Sequence, residues 1–101
     1  VEIEQETNGY HWAQYLLGNC YEFGNGIKTD HTKAFEWYTK SSEQENCCAM
    51  NSLGNCYEKG KGCGKNLPKA SEWFGKSARL GNAEAKAKGF GVKEELNKKG
   101  I

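Results

Sequence analysis

At 101 residues, with 37% hydrophobic and 27% charged positions, the chain has room for one domain and the balance of an ordinary globular protein. A formal net charge of +1, with basic residues scattered among acids, excludes the basic stripe of a dedicated nucleic-acid binder. No apolar run approaches the ~20 residues of a membrane-spanning helix, which excludes direct insertion.

The chain opens Val1-Glu2-Ile3-Glu4, without an initiator Met and without the basic-then-apolar pattern of a secretory leader. It therefore reads as a piece of a longer protein, with residues 1–9 as a frayed lead carrying the acidic cluster Glu2, Glu4 and Glu6. The first unit, 10–45, begins with a helix in which Ala13, Leu17 and Tyr21 recur every four residues as a core stripe. Gly18, beside Leu17, is small enough to admit a neighbouring helix. Gly24-Asn25-Gly26 terminates this helix, because glycine takes the left-handed conformation that ends one. Asp30 is the expected N-cap of a second helix carrying Ala34, Trp37 and Tyr38, with Trp37 assigned to the core. Lys33, Glu36 and Lys40 form its outer face, one turn apart and able to make weak ion pairs.

The second unit, 46–81, repeats the first at an offset of 36 residues. Leu17-Gly18-Asn19-Cys20-Tyr21-Glu22 returns as Leu53-Gly54-Asn55-Cys56-Tyr57-Glu58, and residues 12–46 and 48–82 share 16 identities in 35 positions. Asn66 takes the place of Asp30 as N-cap, Pro68 falls in the first turn, and Trp73 is the core counterpart of Trp37. Residues 82–101 form a partial third unit that loses the pattern after Ala85, followed by a short polar capping helix from Phe90 to Ile101. The fold class is all-α: an α/α solenoid of antiparallel helix pairs.

Five cysteines, with Cys47 beside Cys48, make an odd set that does not fit a paired extracellular framework. Reduced thiols and a cytoplasmic location are expected. Cys63 replaces Ile27 in a turn and is either an apolar plug, the favoured reading, or an exposed reactive thiol. No Cys-x-x-Cys or His-x-x-x-His spacing supports a metal site, and no cofactor is expected. Gly60-Lys61-Gly62-Cys63-Gly64-Lys65-Asn66 has the wrong spacing and ending for a phosphate loop and is the repeat's own turn. No nucleophile–base pair stands at a readable spacing, so the chain is not read as an enzyme.

The set Ala13, Leu17, Gly18, Tyr21, Gly24, Gly26, Asp30, Lys33, Ala34, Trp37, Tyr38 and Lys40 resembles the Sel-1-like repeat pattern, a relative of the tetratricopeptide repeats. The second unit matches it with Asn66 and Phe74 as its variations, while Ser42-Glu43-Gln44-Glu45 departs from the family's Ala and Gly. The resemblance implies a protein-binding scaffold or adaptor, monomeric as a fragment, holding a protein or peptide partner. It further implies that first helices line a concave face, carrying Trp12, Tyr15, Asn19 and Glu22, then Cys48, Asn51, Asn55 and Glu58. Asn19 and Asn55 would offer paired donors and acceptors to a peptide backbone, and Trp12 is the aromatic most open to contact. A non-binding spacer is the alternative. A secreted relative acting on β-lactams is a remote third, since the positions of its inter-repeat disulfide are Ser42 and Ala49 here.

Overall fold

The computed structural model describes residues 10–98; the lead at 1–9 and residues 99–101 lie outside the described residues. Five helices follow one another: α1 His11–Phe23, α2 His31–Ser42, α3 Cys47–Lys59, α4 Leu67–Arg79 and α5 Ala83–Lys98. No strand occurs among the described residues. Each helix packs on the ones before and after it, and α3 also touches α5, in a body of 49 × 28 × 19 Å.

Local chemistry sets the boundaries. Gly24 and Gly60 stop α1 and α3 in the left-handed region, at φ 70° and 71°, and their amides close onto the Cys20 and Cys56 carbonyls. Asp30 and Asn66 cap α2 and α4 as expected, each accepting from the amide three residues on at 3.0 Å. Asn46 and Asn82 do the same for α3 and α5. The tail differs from expectation: α5 is one continuous helix of 16 residues, which Gly89 and Gly91 do not interrupt.

Two buried clusters hold the stack. The first joins Ala34 and Tyr38 of α2 to Leu53 and Cys56 of α3; the second joins Leu67, Ala70 and Phe74 of α4 to Ala85 and Val92 of α5. Tyr38 and Phe74 lie flat against the glycines of the preceding helix. A Cβ on Gly18 would stand 2.5 Å from the Tyr38 ring, and one on Gly54 would stand 2.5 Å from the Phe74 ring. Serines tie the same pairs together: the Ser41 hydroxyl donates to the His11 carbonyl and Ser77 to the Cys47 carbonyl, at 2.6 and 2.5 Å.

Two core assignments need correction. Trp37 and Trp73 are half-buried, because the inward stripe of each second helix runs through Ala34–Tyr38 and Ala70–Phe74, one position round; Trp73 nonetheless packs against the edge of the first cluster. Lys40 and Lys76 lie over their indole rings at 4.6 and 4.5 Å. Of the expected outer-face pairs, Glu72 and Lys76 meet at 3.6 Å in the second unit. Two members of the α1 stripe also lie outside the core: Ala13 is exposed and Leu17 is 38% exposed, while Tyr21 packs against the first cluster and the counterparts Ala49 and Leu53 are buried. No described helix covers that side of α1.

Candidate functional site

Helical spacing places Trp12, Tyr15, Asn19 and Glu22 along one side of α1, and Cys48, Asn51, Asn55 and Glu58 along the matching side of α3. The structure divides this row into an aromatic part and a polar part, and treats the two differently.

Asn19, Glu22, Asn51 and Asn55 are tied up within the molecule. The buried Tyr38 hydroxyl lies 2.7 Å from Asn19 Oδ1 and 2.5 Å from Glu22 Oε1, so both side chains face its single proton. Burial first, and the Glu22 carboxylate next, hold that hydroxyl above the usual tyrosine range. Glu22 also stands 3.9 Å from Lys61 Nζ of the next turn. In the second unit Phe74 has no hydroxyl to offer, and α5 supplies the partners instead. Lys88 donates to Asn55 Oδ1 at 2.9 Å and pairs with Glu84 at 3.0 Å, while Asn51 Nδ2 donates to Glu84 at 3.4 Å. Lys88, then Asn51, hold the Glu84 carboxyl below its usual range. Asn51 is only 7% exposed, and its Oδ1 is buried without a hydrogen-bond partner.

Asn19 and Asn55 are therefore linkers between helices, and the exposed backbone clamp anticipated for them is not the arrangement found. Glu58 and Cys48 are half-buried, and burial followed by neighbouring Cys47 pushes the Cys48 thiol up. The clue was present in the sequence: repeats that differ as Tyr38 and Phe74 must satisfy their neighbours differently.

The aromatic part remains available. Trp12 is 53% exposed, meets His11 at 5.7 Å and Tyr15 edge-on at 5.9 Å, and Tyr15 leans on buried Tyr38 at 6.0 Å. Leu16, one turn beyond Trp12, is 56% exposed. Cys63 is half-buried against the first core cluster, and burial raises its thiol, which matches the plug. All five cysteines are free thiols. No group of three or more His, Cys, Asp or Glu suited to a metal ion occurs among the described residues, and no described helix is long and apolar enough to cross a membrane.

Antiparallel helix pairs repeating every 36 residues, each ring laid on the glycine of its partner helix, define a helical-repeat protein. The Sel1 repeat family model matches residues 13–46 and 49–82, and the chain belongs to that family. Solved structures agree. A Sel1 repeat protein from Oxalobacter formigenes is 38% identical with a TM-score of 0.77, over 78% of this chain and 32% of that one. The protective antigen c5321 of uropathogenic Escherichia coli is 33% identical with a TM-score of 0.73, over 74% of this chain and 16% of that one. Helicobacter pylori cysteine rich protein B is 32% identical with a TM-score of 0.72, over 76% of this chain and 58% of that one. The chain thus spans less than two thirds of each. No curated protein matches it. Proteins of this family are generally non-catalytic repeat scaffolds that bind other proteins.

Proposed function

We propose that this chain is the interaction module of an adaptor, gripping a peptide or protein segment through the first-helix face of α1 and α3. The observation that carries the reading is Trp12, an indole exposed to solvent yet already braced by Tyr15 and, behind it, Tyr38. A ring held in place before contact loses little side-chain freedom on binding, and tryptophan and tyrosine dominate interface energetics for that reason. Leu16 extends the apolar surface by one turn. Since Asn19, Glu22 and Asn55 are engaged within the stack, the partner is expected to offer an apolar side chain first, with polar contacts at the margin.

A pull-down from a cell lysate tests this, with Trp12→Ala and Trp37→Ala variants compared after circular dichroism confirms equal helicity. Trp37 belongs to a second helix, away from the proposed face. A partner kept by the native chain and Trp37→Ala but lost by Trp12→Ala is the expected outcome. Equal retention by both variants would remove Trp12 from the site.

A further inference from the structure

The stack contains two junctions where a second helix meets the first helix of the following unit, and they are filled differently. Between α2 and α3, Phe35 meets Tyr57 edge-on at 5.6 Å, while Met50 and Leu53 are 7% and 1% exposed. Thirty-six residues on, Phe35 becomes Ser71, Met50 becomes Lys86, Leu53 becomes Gly89 and Tyr57 becomes Lys93. Two rings and two apolar side chains are thereby withdrawn from the junction of α4 with α5. They leave an open groove of about 110 Å³ against Phe74, Gly75, Ala78 and Gly89. Phe90, 60% exposed, lines it, as do Lys86 and Lys93.

Size and charge narrow the occupant. An apolar cavity of about 150 Å³ holds a benzene ring, so this open groove suits one aromatic or large aliphatic side chain. Both lysines are exposed, and the ion pairs Lys61–Glu22, Lys76–Glu72 and Lys88–Glu84 involve neither. They stand seven positions apart on one helix, which places them on the same face roughly 10 Å apart along its axis. In an extended chain only residues two or four apart share a face, and four residues cover about 14 Å at about 3.4 Å each, a span that long, flexible lysine side chains can meet. The groove therefore matches a chain that carries carboxylates four residues apart with an apolar side chain midway between them, all three on one face.

We propose that the α4–α5 groove is a second binding site, one that takes an extended acidic peptide. One aromatic or large aliphatic side chain seats against Phe74 and Gly75, and flanking Asp or Glu carboxylates pair with Lys86 and Lys93. The groove lies on the last two helices and shares no residue with the Trp12 face, so each reading is tested without the other.

The test uses a fluorescein-labelled peptide, Ser-Glu-Gly-Phe-Gly-Glu-Ser, titrated into the full chain by anisotropy and followed by amide NMR shifts. Gly75→Leu refills the groove; a Cβ there meets nothing within 4 Å, so the fold is expected to survive, and a thermal melt checks it. The double change Lys86→Glu with Lys93→Glu reverses the charge without touching the buried core. Native protein should saturate with the peptide and shift the amides of Ser71, Ala78 and Gly89. Each variant should weaken binding by at least about tenfold. A Lys-Gly-Phe-Gly-Lys version of the peptide should fail on native protein and bind the charge-reversed one. Absence of saturable binding, unmoved groove amides, or undiminished binding by folded Gly75→Leu would each overturn the site and leave a packing gap in its place. Equal binding of the Lys peptide to native protein would overturn the acidic specificity. Should Gly75→Leu fail to fold, the charge-reversal pair decides by itself.

Discussion

Cys56 and Tyr38 meet in the first core cluster, and their titration links this pair of side chains to the stability of the whole stack. Burial, then the nearby Glu22 charge, pushes the Cys56 thiol up to about 12 from its ordinary 9.0. Below pH 9 the thiol is protonated in folded and unfolded chains alike, and stability does not depend on it. As pH rises from 9 towards 12, the unfolded chain releases a proton that the folded chain keeps, so stability falls. Each unit in that window removes about 1.4 kcal/mol for one such group. Tyr38, raised in the same direction, adds to the decline from about pH 10. Urea unfolding at a series of pH values should show a midpoint that drops above pH 9. Cys56→Ala should flatten that drop without abolishing it, since burial also raises the thiols of Cys48 and Cys63. A native midpoint that stays level from pH 8 to 11 would contradict the buried thiol.

At the scale of helices, the two ring-on-glycine contacts make a substitution change sign with position. Replacing glycine by alanine inside a helix normally gains about 0.5–1 kcal/mol in backbone entropy. At Gly54 the new Cβ would stand 2.5 Å from the Phe74 ring, which is fully buried. Overpacking of that kind costs about 1–3 kcal/mol, so it outweighs the gain. Gly54→Ala and Gly18→Ala should therefore lower the urea midpoint, whereas Gly91→Ala in α5, with nothing within 4 Å of its Cβ, should raise it. An increase at all three positions would mean the rings move aside. The helix order, both Gly-x-Gly turns and the Asp30 and Asn66 caps were legible in the sequence, because each rests on residues next to one another in the chain. What was misread depended on facing residues. A stripe at spacings of three and four admits Trp37 or Tyr38 as its inward member, and only the position of Gly18 on α1 selects Tyr38. Asn19 and Asn55 look alike in sequence, yet their partners, Tyr38 and Lys88, lie 19 and 33 residues away.

Across the whole molecule, stability is distributed as in any one-dimensional stack, where each repeat is held only by its neighbouring repeats. The hexapeptide Leu-Gly-Asn-Cys-Tyr-Glu occurs twice, at 17–22 and 53–58, so local propensity is the same and only the surroundings differ. In α3 it is enclosed by α2 and α4, and Leu53 is 1% exposed; in α1 it has α2 on one side, and Leu17 is 38% exposed. Leu53→Ala removes a filled core position and should cost about 2–5 kcal/mol, because the site cannot collapse around the gap. Leu17→Ala opens no enclosed cavity and gives up only the partial burial of one side chain, so about 1 kcal/mol is expected. Hydrogen exchange should report the same gradient without mutation, with α1 amides opening before those of α3. If the two leucine substitutions instead prove equally costly and α1 exchanges as slowly as α3, then the outer side of α1 is covered in solution. The Trp12 surface, on that same helix, would then have to be reassigned from a free binding face to an internal contact.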